Sequence, residues 1–347
     1  MSAADSPIQA DAPEKLAPRI DAWMSENIPG YTGPLEVRPF AGGQSNPTFG
    51  LVTPGRKYVL RRKPLGTLLP SAHAVDREYR AIQALHPTGV PVPRPYRLCR
   101  DVSVVGAEFY VMEMIEGRIF RDITLPELSP GERTQLFRSM AKTLAQLHNV
   151  DPKAAGLEDF GRSGNYMARQ VDRWTKQYRA SETVRIEPME QLIEDLPRTV
   201  PAQERTCIVH GDYKVDNVIF HADRLEIAAI LDWELATTGD PICDFAYLAM
   251  NWQDGPLSEM PDRAAQGIPE VAELAEVYCS HTGRDGLPDL EWYYAYNLFR
   301  LAAIVQGIIG RVRAGNANSV QAPDVGSRVE STARAALRLF EASRAAG

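Results

Sequence analysis

The chain has 347 residues, 44% of them hydrophobic and 24% charged, with a formal net charge of −7. That length exceeds what one hydrophobic core usually serves, so two lobes or domains are expected. The acidic balance argues against a nucleic-acid partner, which needs a basic face, and no apolar run approaches the roughly 20 residues of a membrane span. Residues 1–14 have no apolar core of a signal peptide. Cys99, Cys207, Cys243 and Cys279 are widely spaced without a Cys-x-x-Cys pair, and read as reduced thiols of a cytoplasmic protein. The six His residues show no zinc-like spacing.

Residues 1–13 are small, acidic and Pro-containing and are expected to fray. From Lys15 to Asn27, Leu16, Ile20, Trp23 and Met24 recur at helical spacing. Strands follow at 35–40, 48–53 and 57–61, the first two joined by the polar loop Ala41-Gly-Gly-Gln-Ser45-Asn46-Pro47. The run 74–85 reads as a helix with Val75, Tyr79, Ile82 and Leu85 as its apolar stripe. Two more strands, 94–99 and 108–114, are joined by a hairpin around Gly106. The sum is a five-stranded antiparallel sheet plus one helix. Ser129 and Glu132 form a capping box that starts a helix to His148. Helices are expected at 166–178, 189–196, 242–252, 271–279, 289–311 and 323–342, making the rest mainly helical. The boundary between the two lobes is set at 114/115. No internal repeat or low-complexity tract is present.

The chain is organised around His210-Gly-Asp212-Tyr-Lys214-Val-Asp-Asn217, held between the apolar runs 207–209 and 218–220. A third apolar run, 225–231, ends at Asp232. Phosphoryl transfer needs an Asp to accept a hydroxyl proton, and an Asn and a second Asp to hold Mg²⁺ against nucleotide phosphates. Asp212 is the candidate base; Asn217 and Asp232 are the candidate metal ligands. The competing reading is a polar turn whose side chains satisfy backbone groups.

The array resembles the catalytic loop of protein-kinase-like phosphotransferases, in which His-Arg-Asp is followed after four residues by Asn and later by Asp-Phe-Gly. Here Gly211 replaces Arg, and Asp232-Trp233-Glu234 replaces Asp-Phe-Gly. Both departures resemble the aminoglycoside phosphotransferase and choline kinase branch, which acts on small molecules. The likeness runs from about residue 35 to 342. Three segments, 58–64, 103–113 and 174–178, are similar to a kinase-like domain fused in some proteins to an acyl-CoA dehydrogenase.

The resemblance implies an α+β, bilobal protein-kinase-like fold, with ATP and Mg²⁺ as cofactors. It makes 41–47 a nucleotide-covering loop in which Ser45 and Asn46 donate to phosphates. It makes Arg61 the cation on the α- and β-phosphates, with Arg62 and Lys63 left open as the true contact, and Glu78 the helical carboxylate that holds it. It makes Glu113 to Gly117 the segment whose backbone meets adenine, with Glu113 and Ile115 as the contacts. Lys214 matches a Lys that neutralises the γ-phosphate. Asp240 and Asp244 fit a Gly-Asp-Pro-x-x-Asp pattern and are read as structural. The acceptor is a small-molecule hydroxyl, with hydroxy-acyl compounds implied by the fused relatives. Tyr166, Arg169 and Trp174 are candidate acceptor contacts, against the plainer reading that a stripe at helical spacing is core. A nucleotide- or acyl-binding regulatory module and an aminoglycoside or amino-alcohol kinase are the alternatives. The choice of ATP over GTP and the oligomeric state stay open.

Overall fold

The computed structural model describes residues 13–40, 46–65, 74–162, 164–313 and 322–345, for 311–313 and 322–327 the backbone alone. The reading of residues 1–13 as frayed falls almost wholly outside that range, and so does Ser45. Two units are present. The first comprises residues 1–119 and 217–236; the second comprises 120–216 and 237–347.

In the first unit, α1 (Pro13–Asn27) precedes β1 (Glu36–Pro39), β2 (Thr48–Val52), β3 (Lys57–Arg62), α2 (Val75–Leu85), β4 (Pro95–Cys99) and β5 (Phe109–Glu113). The strands form one antiparallel sheet in the order β1-β2-β3-β5-β4. Strand alternation sorts the side chains by face. Phe49, Leu51, Tyr58, Leu60, Phe109 and Val111 pack with Leu16, Ile20 and Met24 of α1 into one core. The intervening Val59, Arg61, Tyr110 and Met112 face a cavity on the other side.

Helix α2 buries Val75, Glu78, Ala81, Ile82 and Leu85, while Tyr79 is only partly buried. The apolar stripe expected from the sequence therefore contains a carboxylate. A hairpin of β7 (Val218–Phe220) and β8 (Ile227–Ile230) completes this unit. Arg118 and Phe220 exchange backbone hydrogen bonds of 2.8 and 2.9 Å. This close approach needs Gly117, since a Cβ there would lie 2.1 Å from the Phe220 carbonyl oxygen. Gly117→Ala is therefore expected to cost about 1–3 kcal/mol by overpacking, measured as a lowered denaturation midpoint with the m-value unchanged.

The second unit holds α3 (Pro130–His148), α4 (Tyr166–Ser181), α5 (Glu187–Asp195), β6 (Cys207–Val209), β9 (Thr237–Gly239), α6 (Pro241–Ala249), α7 (Val271–Thr282), α8 (Leu290–Arg313) and α9 (Ala322–Ala345). The capping box of Ser129 and Glu132 is formed. Helix α8 is buried on every side from Trp292 to Phe299, as expected of a central helix. The 242–252 helix ends earlier than its pattern implies: α6 stops at Ala249 and a 3₁₀ turn covers Met250–Trp252. Strand β9 was not foreseen; it pairs antiparallel with β6.

Candidate active site

Arg61, with 14% of its side chain exposed, and the fully buried Glu78 form the polar centre of the first unit. Arg61 Nε lies 2.9 Å from Glu78 Oε2, and its Nη2 donates at 2.9 Å to Asp232 Oδ1. Glu78 is completely buried. A buried carboxylate must be paired and hydrogen-bonded, and Glu78 also accepts from the Tyr110 hydroxyl at 3.0 Å and the Asn46 amide at 2.6 Å. Burial pushes its pKa up against the pull of Arg61. On Arg61 burial acts the other way, but Tyr110, Glu78 and Asp232 together hold the guanidinium firmly protonated.

The three cations left open by the sequence now separate. Arg61 lines a cavity of about 270 Å³ together with Thr48, Tyr110, Met112, Ile230 and Asp232. Arg62 is buried, donates to the Val105 carbonyl at 3.0 Å and lies over the Phe49 ring. Lys63 pairs with Glu108 and Asp76. Asn46, expected to offer its amide to phosphates, is buried, and its amide nitrogen donates to Glu78 at 2.6 Å. Glu113 and Ile115 both line the cavity. The Glu113 N–H is engaged by the Arg94 carbonyl at 2.8 Å, so it is not available to a ligand. Among the described residues, no hydrogen bond reaches the Ile115 backbone.

Asn217 and Asp232 stand at the open end of the β7–β8 hairpin. Val218 pairs with Ile230, and the Leu231 N–H donates to the Asn217 carbonyl at 2.8 Å. Asp232 follows with φ of 66°, the left-handed region that non-glycine residues seldom adopt. Its side chain is a third exposed and is held by Arg61. The two residues supply one carboxylate and one amide, hard oxygen donors that suit Mg²⁺ with phosphate and water completing its shell. The donor set therefore fits the expected metal.

Asp212 lies in the second unit, on a loop whose backbone is pinned by buried groups. The His210 and Gly211 N–H groups donate to Asp244 at 2.6 and 2.9 Å. The Asp212 N–H donates to His210 Nδ1 at 3.2 Å. Gly211 has φ of +81°, which a side chain would oppose. Burial alone would raise the Asp244 pKa, but His148, His210 and the Gly211 N–H bring it below the usual carboxylate value. Asp240 caps α6 through the Ile242 N–H at 3.1 Å and accepts from the Tyr293 hydroxyl at 2.6 Å. Lys214 Nζ is 3.6 Å from Asp212 and 3.4 Å from Asp216. Burial opposes its charge, yet these two carboxylates hold its pKa above the ordinary lysine value.

The residues expected to line an acceptor site are placed differently. Tyr166 and Trp174 are 6% and 5% exposed and pack in the core of the second unit. Tyr166 lies so close over Gly239 that a Cβ there would meet its ring at 2.8 Å. Arg169 donates to the carbonyls of Gly164 and Arg162 at 2.8 and 2.6 Å. The plainer reading of that stripe, as core, is the one the structure supports. Sequence reasoning also missed three residues on α8. Tyr293, Asn297 and Arg300, at i, i+4 and i+7, reach Asp240, the Cys243 carbonyl and the Gly211 carbonyl. Three polar residues at helical spacing in the otherwise apolar stretch 292–305 were the available signal.

A five-stranded antiparallel sheet joined to a helical unit is the architecture of the protein-kinase-like phosphotransferases. The chain belongs to the phosphotransferase enzyme family, whose model matches residues 36–277. It is 45% identical over 88% of its length to mouse acyl-CoA dehydrogenase family member 10, of which it covers 29%. It is 40% identical over 92% of its length to rat acyl-CoA dehydrogenase family member 11, of which it covers 42%. The chain thus spans less than half the length of these curated relatives. It is also similar to the crystal structure of a Ralstonia eutropha protein provisionally assigned as an aminoglycoside phosphotransferase. That match has a TM-score of 0.85 and 44% identity, covering 93% of this chain and 98% of the other.

Proposed function

We propose that the protein transfers the γ-phosphoryl group of ATP to a hydroxyl of a small acyl compound, a hydroxy acid or its CoA thioester. The observation that carries the phosphotransfer reading is the Glu78–Arg61–Asp232 array: a completely buried carboxylate holds a guanidinium in an apolar cavity, within reach of an acidic hairpin end. A fixed cation there offsets charge on the α- and β-phosphates, and the apolar lining suits a purine ring. The backbone of Ile115 is the edge left open to that ring. Asn217 and Asp232 would hold Mg²⁺, which when bound neutralises developing charge on the phosphates.

In the transfer step Asp212 accepts the acceptor's hydroxyl proton as its oxygen bonds to the γ-phosphorus. The bond from that phosphorus to the β–γ bridging oxygen breaks, and ADP leaves with its electron pair. Lys214 sits beside the base to offset charge on the transferred group. The acyl part of the reading is supported by the names of the relatives, whose remaining length leaves room for further domains.

The test is an ATP-consumption screen over hydroxyoctanoic acids, their CoA thioesters, amino alcohols and kanamycin. Turnover is expected on a hydroxy-acyl compound and little or none on kanamycin. Robust phosphorylation of kanamycin with no activity on any hydroxy-acyl compound would remove the acyl assignment and leave the kinase reading in place.

A further inference from the structure

Arg300 on α8 is a buried cation with an unusual set of neighbours. It is 5% exposed, and among the described residues it has no carboxylate partner. Its Nη2 donates at 2.6 Å to the Gly211 carbonyl, and its Nε has no acceptor. Its guanidinium lies 4.9 Å from the Tyr247 ring centroid and 5.4 Å from that of Trp174. Burial and the nearby Asp212 carboxylate push the pKa of the Tyr247 hydroxyl up.

A guanidinium buried without an anion is costly, and an apolar side chain of similar volume would often be as stable or more so. Stability is therefore a poor reason for this charge. Its position gives a better one. The carbonyl that Arg300 holds belongs to the peptide joining Gly211 to Asp212. The N–H of that same peptide donates to His210 Nδ1. A peptide unit is planar, so fixing its oxygen and its N–H fixes the direction in which the Asp212 Cα leaves. The preceding N–H, of Gly211, is held by Asp244. Gly211 is thus gripped by a buried anion on α6 and a buried cation on α8.

We propose that Arg300 is a positioning residue for Asp212, acting through the Gly211 carbonyl and the Tyr247 ring. This rests on Asp212 being the base of the proposed function. Misplacing a reacting group by about 1 Å can cost roughly 10²-fold in rate, and Arg300 touches neither nucleotide nor acceptor in this arrangement. Its removal should therefore appear in kcat and not in ATP binding.

The experiment compares Arg300→Met, Arg300→Lys and Tyr247→Phe with Asp212→Asn. Turnover of MgATP is followed with the hydroxyoctanoate selected by the screen and, without acceptor, with water. Arg300→Met is expected to lose about 10²-fold in kcat, with the KM for ATP and the ATP-induced melting shift unchanged. Arg300→Lys, which keeps the charge and a donor, should recover at least tenfold of that loss. Tyr247→Phe should lower kcat at constant KM for ATP. A folded Arg300→Met with full kcat, or one whose loss lies in the KM for ATP, overturns the proposal. Should Arg300→Met not fold, Tyr247→Phe decides: wild-type kcat in that variant overturns it. If Asp212→Asn itself turns over normally, it is the proposed function that falls. If Asp212→Asn is inactive while Arg300→Met is fully active, only the role of Arg300 falls.

Discussion

Asp212→Asn is expected to lower kcat by roughly 10²–10⁴-fold, the usual loss when a positioned general base is removed, while leaving nucleotide binding nearly intact. The substitution keeps the side chain's size and removes its proton-accepting charge. The loop should hold its shape, because its anchors are backbone groups: the His210 and Gly211 N–H groups on Asp244, and the Gly211 carbonyl on Arg300. The Arg61–Glu78–Asp232 array belongs to the other unit, so ATP should still raise the melting temperature as in the parent protein. The measurement is steady-state turnover on the acceptor from the screen, beside a thermal shift with MgATP. Near-parental turnover would exclude Asp212 as base.

The second large effect concerns the metal. ATP should stabilise the protein more with Mg²⁺ than with EDTA; with Mg²⁺ the whole ATP-induced gain is about 2.7 kcal/mol when ATP is at 100 times its dissociation constant. Asp232→Ala should abolish the Mg²⁺-dependent part of that gain. It removes the carboxylate of the candidate metal pair and also releases one Arg61 nitrogen from its acidic partner. The released guanidinium can still meet phosphate, so a metal-independent increment is expected to survive in EDTA. An Mg²⁺-dependent increment equal to that of the parent would remove Asp232 from the metal site.

Much of the fold was legible because strand and helix periods differ. The alternation in β3 and β5 and the 3.6-residue spacing in α1 and α3 needed no tertiary information. The setting of the stretch from Asp212 to Asp232 was legible because its apolar runs, 207–209, 218–220 and 225–231, mark β6, β7 and β8. What stayed hidden were contacts made over long separations. Glu78 occupies a buried position on α2, yet by pattern alone a helical carboxylate looks solvated; its partners Arg61, Tyr110 and Asn46 come from three other segments. The burial of Asn46 was hidden for the same reason, since a polar residue beside a polar loop resembles an exposed one. Trp174 and Tyr166 show the reverse case: aromatic residues at helical spacing suit either a ligand site or a core, and the two are buried. Arg300 reaches a backbone carbonyl 89 residues earlier in the chain, and a carbonyl leaves no mark in the sequence.

The first unit is discontinuous, and its last piece is made late. Residues 120–216 are synthesised before the hairpin of 217–236 exists. At 5–20 residues per second that is a wait on the order of 5–20 s. During it, Pro91 lacks the Ile230 N–H that its carbonyl accepts at 2.8 Å, and Ile82 and Pro93 lack the cavity wall formed by Ile219, Ile230 and Trp233. The nascent sheet therefore leaves the ribosome with an apolar face uncovered. Synonymous codons that slow translation within 120–216 should lengthen that exposure and raise the chain's dependence on chaperones that shield apolar surface during synthesis.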